Sequence, residues 1–363
     1  MSLSGSRATA GRDDRPLLRL RSPADVCEAV PYLVGFEPTG SLVLISLRGP
    51  RKQAGLAIRV DLPDAAHAWA VADLVVEHLR RDGAGAALVV AYADAADPSP
   101  DAAVQAVLEA CRRETIAVAE ALRVADGRWT SYSCRGACCP AAGTPLRDRL
   151  TEPSACAATL TAEGRQVLPS RSALVSSIAP VEGLLATAMR ARLDDEVEGF
   201  LAAAGGDRRR DHADATVELV RRWVDRLQRG DALPVDEAAR MIVGLSDREA
   251  RDRCLGGGMG GLGGGAEGPP LGADALELWR ELVRRALLPG LAAPVATLLA
   301  ACAYLDHGNG ALANVALDRA LVDQPAYAMA QYLLAMLEGG IAPSTVREWL
   351  EEPDADTRAP RAG

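Results

Sequence analysis

Near the start of this chain, a capped helix runs into a buried strand, which leaves few fold classes open. Ser22 is a favourable N-cap, Pro23 suits the first helical position, and Asp25 completes an S-x-x-D capping pattern. Gly35 is placed to end the helix, and residues 41–47 follow as an apolar, β-type run. This order of signals predicts a sheet with a helix packed on it.

The first half of the chain continues to alternate strand and helix patterns. The predicted elements are a strand at 17–20, a hairpin of 41–47 with 56–62, a helix at 67–81, a strand at 87–92, a helix at 101–122, and a hairpin of 122–125 with 129–133. The helix at 67–81 is expected to bury Val71, Leu74, Val75 and Leu79. Strands that alternate with crossover helices predict an α/β domain with a mixed sheet and flanking helices.

The second half reads as all helical, with a glycine-rich interruption. Helical patterns cover 154–164, 180–204, 213–229, 235–243 and 246–254. The predicted organisation is a disordered tail at 1–16, an α/β domain at 17–150, a helical region at 151–255, a Gly-rich flexible linker at 256–272, a helical domain at 273–352 and a disordered tail at 353–363. Deleting 273–352 should leave the first domain folded, unless the two parts share one core.

The glycine-rich stretch contains a G-x-G-x-x-G match at residues 258–263. A dinucleotide site requires a strand before this motif and a helix after it. Here a charged helical segment precedes the motif and more loop follows, so the pattern does not indicate a nucleotide site.

Charge and composition exclude several classes of protein. The net charge is −9, nearly all basic residues are Arg, and they alternate with acids, as in residues 247–253, which we interpret as a solvated helix face. This balance argues against nucleic-acid binding. Residues 1–16 lack an apolar signal region, and the uncharged run at 287–305 contains two Pro and predicts a buried helix rather than a membrane span. We therefore expect a cytoplasmic protein with reduced cysteines.

A cysteine cluster is the best candidate for chemistry. Cys134, Cys138 and Cys139 form a C-x3-C-C pattern that thiolate coordination of zinc would use. A closed zinc site needs a fourth ligand, for which Cys111 or Cys156 would have to fold in. The alternatives are a redox pair, with a strained vicinal disulfide at Cys138 and Cys139, or a tight loop with inert thiols.

Residues 304–325 have the spacing of a tetratricopeptide repeat. The matching positions are Tyr304, Gly308, Ala313, Leu317, Ala320 and Pro325. Small residues at Ala313 and Ala320 would let two antiparallel helices approach closely. One such hairpin is too short for a solenoid, and ordinary Ala-rich packing explains the spacing equally well. If the hairpin binds a protein partner, we expect contacts from Tyr304, Asn309, Asn314 and Arg319.

Several long strings resemble a family known only as an actinobacterial domain of unknown function. They are the opening segment at 22–49, residues 59–63, residues 129–145 with the three cysteines, Leu168-Pro169-Ser170-Arg171 and residues 310–321. The resemblance implies no established activity, cofactor or substrate. The spacer between Cys134 and Cys138 is one residue shorter than is usual in the family. Ser170 is expected to cap a helix where the α/β part meets the helical part.

Two functions follow as hypotheses. The first is a non-enzymatic interaction or regulatory protein that binds a partner through its C-terminal helices. The alternative is an enzyme, or a metal- or redox-responsive protein, whose site lies at the carboxyl ends of the strands. For that alternative, Tyr92, Asp94 and the loop at 134–139 are the residues to test. The sequence contains no H-E-x-x-H, G-x-S-x-G or P-loop motif.

Overall fold

The computed structural model describes most of the chain between Leu20 and Val346. The described residues are 20, 22–94, 96–97, 99–134, 136–146, 154–162, 165–202, 207–255, 275–306, 308–341, 343 and 345–346. The predicted tails at 1–16 and 353–363, the linker at 256–272 and most of the strand at 17–20 lie outside these residues. Within them, no helix combines the length and the apolar character that crossing a bilayer requires.

The first half of the chain builds a mixed sheet of six strands in the order β2-β1-β3-β4-β5-β6. Its strands are β1 (Ser41–Arg48), β2 (Gln53–Asp61), β3 (Ala84–Tyr92), β4 (Ala117–Ala125), β5 (Arg128–Ser131) and β6 (Thr144–Pro145). Strands β3 and β4 are parallel, and every other neighbouring pair is antiparallel. Both predicted hairpins, β1–β2 and β4–β5, are confirmed.

Thirteen helices are present in the part of the chain that the structure describes. They are α1 (Pro23–Val34), α2 (Ala68–Arg81), α3 (Ser99–Arg113), α4 (Ala155–Ala162), α5 (Arg171–Ser176), α6 (Gly183–Ala202), α7 (Asp207–Gln228), α8 (Val235–Gly244), α9 (Arg248–Cys254), α10 (Leu276–Arg285), α11 (Ala292–Leu305), α12 (Gly310–Asp323) and α13 (Ala328–Glu338). The prediction of an α/β first half followed by helices is confirmed.

The predicted helix caps are confirmed at both ends of α1. The Ser22 hydroxyl accepts from the Asp25 backbone N–H at 3.2 Å, and the Asp25 carboxylate accepts from the Ser22 N–H at 3.0 Å. Gly35 ends the helix with φ of 83°, a conformation that glycine adopts without a Cβ clash. Ser170 caps α5 in the same way, because its hydroxyl accepts from the Ala173 N–H at 3.1 Å.

The predicted helix at 101–122 is wrong in its second half. Helix α3 ends at Arg113, Thr115 takes a left-handed φ of 57°, and the chain then enters β4. The Ala-rich sequence of β4 carries no strong strand signal. Pairing with β3 on one side and β5 on the other decides its conformation.

The predicted buried face of α2 needs one correction. Val75 and Leu79 are fully buried, but Leu74 is 56 % exposed. The face that packs on the sheet instead uses small residues, Ala68 and Ala72. These alanines lie on the side of Val75 and Leu79, so the helix turns Leu74 toward solvent.

The predicted solvated face at residues 247–253 is also wrong at two positions. The Asp247 side chain is buried and caps α9 by accepting from the Glu249 and Ala250 N–H groups. The Arg251 side chain is 14 % exposed and donates to the Tyr327 hydroxyl at 2.6 Å. Both charged groups therefore belong to packed contacts between helices.

The two faces of the sheet are covered differently. Helices α2 and α3 cover one face in a compact cluster that includes Leu42, Val75, Val89 and Val107. On the other face, sheet residues such as Val43 and Val90 belong to one continuous cluster with buried residues of the later helices. The sheet and the C-terminal helices thus share a core, while the predicted domain boundaries stay a prediction.

Helices α11 and α12 pack directly against each other, as the repeat-like spacing suggested. All residues of α11 are buried, and so are Ala313 and Ala320 of α12. The Asp323 carboxylate at the end of α12 accepts from the Ala292 and Ala293 N–H groups at 3.0 and 2.9 Å. The end of α12 therefore lies at the start of α11, and the buried helix predicted within the uncharged run at 287–305 spans residues 292–305.

Candidate functional site

The cysteine cluster lies on the loop between β5 and β6, at the edge of the sheet. Strand β6 pairs with the beginning of β5, with Trp129 opposite Thr144, so the intervening chain must fold back as a loop. A turn within the loop is closed by the Cys139 N–H, which donates to the Gly136 carbonyl at 2.9 Å. Cys138 is exposed, while Cys134 and Cys139 are partly buried.

The three thiols lie close together although only three residues separate Cys134 from Cys138. The sulfur atoms of Cys134, Cys138 and Cys139 all lie within 4.8 Å of one another. The Sγ atoms of Cys134 and Cys138 are 3.5 Å apart. Two thiolates on one tetrahedral zinc ion are about 3.8 Å apart, given Zn–S bonds of about 2.3 Å. A small adjustment would therefore seat three sulfur ligands around one ion.

Ser131 anchors the start of this loop to the sheet. Its hydroxyl accepts from the Cys134 backbone N–H at 3.1 Å and donates to the Glu120 carboxylate at 2.9 Å. Glu120 lies on β4, so two strands fix the position of Cys134. Sequence reasoning missed Glu120 because it placed that residue in a helix, whereas the S-x-x-C spacing from Ser131 to Cys134 was visible.

The surroundings of the loop shift the pKa values of Cys134 and Cys139 in opposite directions. Hydrogen bonds to the Cys134 sulfur hold the pKa of Cys134 below the usual thiol value. The largest effect comes from the Gly136 backbone N–H, and smaller effects come from the thiols of Cys138 and Cys139. Desolvation, together with the hydrogen bonds to the other two thiols, raises the pKa of Cys139 to about 12. Cys134 therefore ionises before Cys139 and offers an anionic sulfur to a metal ion or an oxidant more readily.

The predicted fourth ligands do not join the cluster. Cys111 is buried on α3, in the cluster between the sheet and α2–α3, and Cys156 is buried on α4 against α1. Within the described residues, the group of side chains close enough to share a metal ion contains the three loop thiols alone. Among the described residues the arrangement thus offers three protein ligands, and a tetrahedral zinc ion would need a fourth ligand in addition.

The other residues of the predicted strand-end site lie elsewhere. Tyr92 is buried at the carboxyl end of β3, and Asp94 follows it, with its carbonyl accepting from the Arg123 guanidinium at 2.8 Å. The cysteine loop instead leaves β5 beside Ala121 in the middle of β4, where the Tyr132 N–H donates to the Ala121 carbonyl. The structure therefore does not bring Tyr92 and Asp94 together with the cysteines in one site.

The residues predicted to contact a partner are largely turned into the fold. Tyr304 is 4 % exposed, and Asn309 caps α12 by accepting from the Leu312 N–H at 3.0 Å. The Arg319 guanidinium donates to the Ala286 carbonyl at 3.3 Å, and Asn314 is partly buried on α12. These side chains support the packing of the hairpin, and their contact with a partner stays a prediction.

The unequal acidity of the thiols predicts an order of alkylation. In metal-free protein, iodoacetamide should label Cys134 at a lower pH than an ordinary thiol, because alkylation requires the thiolate and rises with pH through the pKa. Cys139 should stay unlabelled between pH 6 and about 10, because its pKa is raised to about 12. Mass spectrometry of the loop peptide checks this, with a cysteine tripeptide as control, and labelling of Cys139 before Cys134 would contradict it.

Comparison with known proteins agrees with the resemblance read from the sequence. The family model described as Domain of unknown function (DUF4192) matches residues 23–344, which is nearly the whole chain. No curated protein and no solved structure matches the chain. The match covers the sheet, the cysteine loop and all thirteen described helices. The chain therefore belongs to the family of the Domain of unknown function (DUF4192).

Proposed function

We propose that this chain is a metal-responsive protein that binds zinc through the thiolates of Cys134, Cys138 and Cys139. The observation that carries the proposal is the convergence of three sulfur atoms within 4.8 Å of one another. Thiolate sulfur is a preferred ligand of zinc, and three protein ligands with one open position distinguish an exchangeable site from a closed structural one. Exposure of Cys138 gives the ion direct access to solvent.

The test is a zinc titration of the full chain against a chromophoric chelator. The wild type should bind one zinc ion, and Cys138→Ser should weaken binding on the order of a hundredfold, since each thiolate supplies a large share of the metal-binding free energy. Cys156→Ala is the matched control, because Cys156 is buried away from the loop and should leave the affinity unchanged. Equal zinc affinity in both variants would contradict the proposal.

A redox response is a second candidate function, favoured by the 3.5 Å between the Cys134 and Cys138 sulfur atoms. A disulfide requires about 2.05 Å, so only a modest closure of the loop would be needed. With hydrogen peroxide as oxidant, the two thiols would give up two electrons and two protons and the peroxide would become two waters. Loss of two thiols without any zinc binding would favour this function over the first.

Partner binding by the C-terminal helices, the first function predicted from the sequence, remains a further proposal. What supports it is the exposure of apolar side chains on these helices, with Val322 78 % and Tyr332 68 % exposed. A partner would then contact the outer surfaces of α12 and α13, because Tyr304 is buried between the helices and the rest of the core.

A further inference from the structure

A pocket of about 550 Å³ lies among the helices and shares no residue with the cysteine loop. Its walls come from the end of α6, the start of α7, the start of α9 and the residue before α13. Pockets for small molecules usually measure about 300–1,000 Å³, so a compact metabolite would be the right size.

The pocket carries a surplus of positive charge. Three guanidinium groups line it, those of Arg209, Arg248 and Arg251, against the single carboxylate of Asp247. Asp247 is already paired with Arg209 at 2.5 Å, and Arg251 is paired with Asp252 at 2.5 Å. Arg248 is exposed and makes no ion pair with any described residue, so its charge is left for an anionic ligand.

Tyr327 adds a neutral hydrogen-bond donor at the same place. Its hydroxyl oxygen accepts from the Arg251 guanidinium at 2.6 Å, and its proton has no acceptor among the described residues. Burial raises the pKa of Tyr327, which keeps the phenol protonated. A charged donor such as Arg248 and a neutral donor such as Tyr327 are groups that bind phosphate oxygens, and both line this pocket.

Aromatic rings form another part of the lining. Phe200 and His212 meet edge to face, with ring centroids 5.2 Å apart and an interplanar angle of 72°. The His212 Nδ1 atom is buried and has no hydrogen-bond partner within the described part of the chain. The two rings give the pocket an apolar surface on which a planar ring can pack.

We propose that this pocket binds an organic phosphate monoester, with its phosphate on Arg248 and Tyr327 and its ring against Phe200 and His212. The surplus charge selects the phosphate, and the aromatic wall selects a ligand that carries a ring. A nucleoside monophosphate has both parts at a size that suits the pocket.

Isothermal titration of the full chain with AMP, GMP, CMP and UMP tests the proposal, with adenosine and inorganic phosphate as partial ligands. At least one monophosphate should bind more tightly than either partial ligand. Arg248→Ala should weaken that binding at least about tenfold, because it removes a charge-assisted contact. Tyr327→Phe keeps the ring and removes the donor, so it should weaken binding by a smaller factor.

Arg112→Ala serves as the matched control, because Arg112 is an exposed arginine of α3 outside the pocket. It should leave the affinity unchanged. Three outcomes would overturn the proposal. They are failure of all four monophosphates to bind, binding of the monophosphates no tighter than that of inorganic phosphate, and equal affinity in the Arg248→Ala and Arg112→Ala proteins. The zinc site does not enter these measurements, so the two proposals can fail separately.

Discussion

A chain that ends at residue 255 will lose the cooperative unfolding transition of the full-length protein. The truncation removes α10–α13, whose buried residues belong to the same cluster as one face of the sheet. Trp279, Leu298 and Leu299 are among the lost side chains with 1 % exposure or less. Full burial of each such side chain contributes about 1.5–3 kcal/mol, so their loss together with the rest of α11 exceeds the total stability of about 5–15 kcal/mol.

Polar contacts across the cut add to this loss. The Val181 N–H donates to the Arg284 carbonyl at 2.8 Å, and the Arg285 guanidinium donates to the Leu233 carbonyl at 2.8 Å. Removal of α10 would deprive the Val181 N–H and the Leu233 carbonyl, which lie in the connections before α6 and α8, of these partners.

Thermal unfolding followed by circular dichroism checks the prediction, with a chain ending at residue 346 as the matched control. The control keeps every described helix and should unfold in one sharp transition. A sharp transition of the shorter chain at the same temperature would show that the sheet domain has a sufficient core of its own.

The substitution Gly244→Ala will destabilise the protein by about 3 kcal/mol. Gly244 ends α8 against α7, where an added Cβ would lie 2.7 Å from Cγ2 and 3.0 Å from Cβ of Thr216. Thr216 is buried, and its hydroxyl donates to the His212 carbonyl at 2.9 Å, so it has little freedom to move. At a solvent-exposed position in a helix, Gly→Ala would stabilise the protein by about 1 kcal/mol. The sign of the measured stability change therefore shows whether the contact with Thr216 outweighs helix propensity.

The double variant Thr216→Ala with Gly244→Ala is the control for this prediction. Removing Cγ2 and the hydroxyl of Thr216 relieves the closest contacts and leaves the 3.0 Å approach of the two Cβ atoms. Its free energy of unfolding, measured with urea, should exceed that expected from adding the two single effects. Strict additivity would contradict the prediction, because it would mean that the added Cβ at position 244 does not contact Thr216 and that α7 and α8 are farther apart at this point.

Local signals in the sequence were enough to predict the elements that local chemistry fixes. Ser22 and Asp25, which form the S-x-x-D pattern, make their capping hydrogen bonds within one helical turn, and so does Ser170. The first part of β4, residues 117–121, was missed because its Ala-rich sequence suits a helix equally well, and only pairing with β3 and β5 decides the outcome. Leu74 was misplaced because hydrophobicity alone does not show that Ala68 and Ala72 form the packed face.

The difference between local and long-range contacts also explains which parts of the two candidate sites could be predicted from the sequence. The three cysteines lie within six positions of one another, so their convergence was visible as spacing. The pocket gathers Phe200, His212, Arg248 and Tyr327 from four separate segments, and no sequence pattern joins them. Tyr304 matched a repeat position, but the spacing is the same whether that position is buried or lines a groove.

A cobalt(II) titration of the metal-free full chain distinguishes a three-thiolate metal site from a loop of inert thiols. Cobalt replaces zinc in tetrahedral thiolate sites, and its visible absorption bands report the geometry and the sulfur ligands. We expect intense tetrahedral bands with thiolate charge transfer that saturate at one equivalent of cobalt and are abolished by one equivalent of zinc. Weak octahedral absorption, or bands that persist in Cys138→Ser at full strength, would contradict a three-thiolate site.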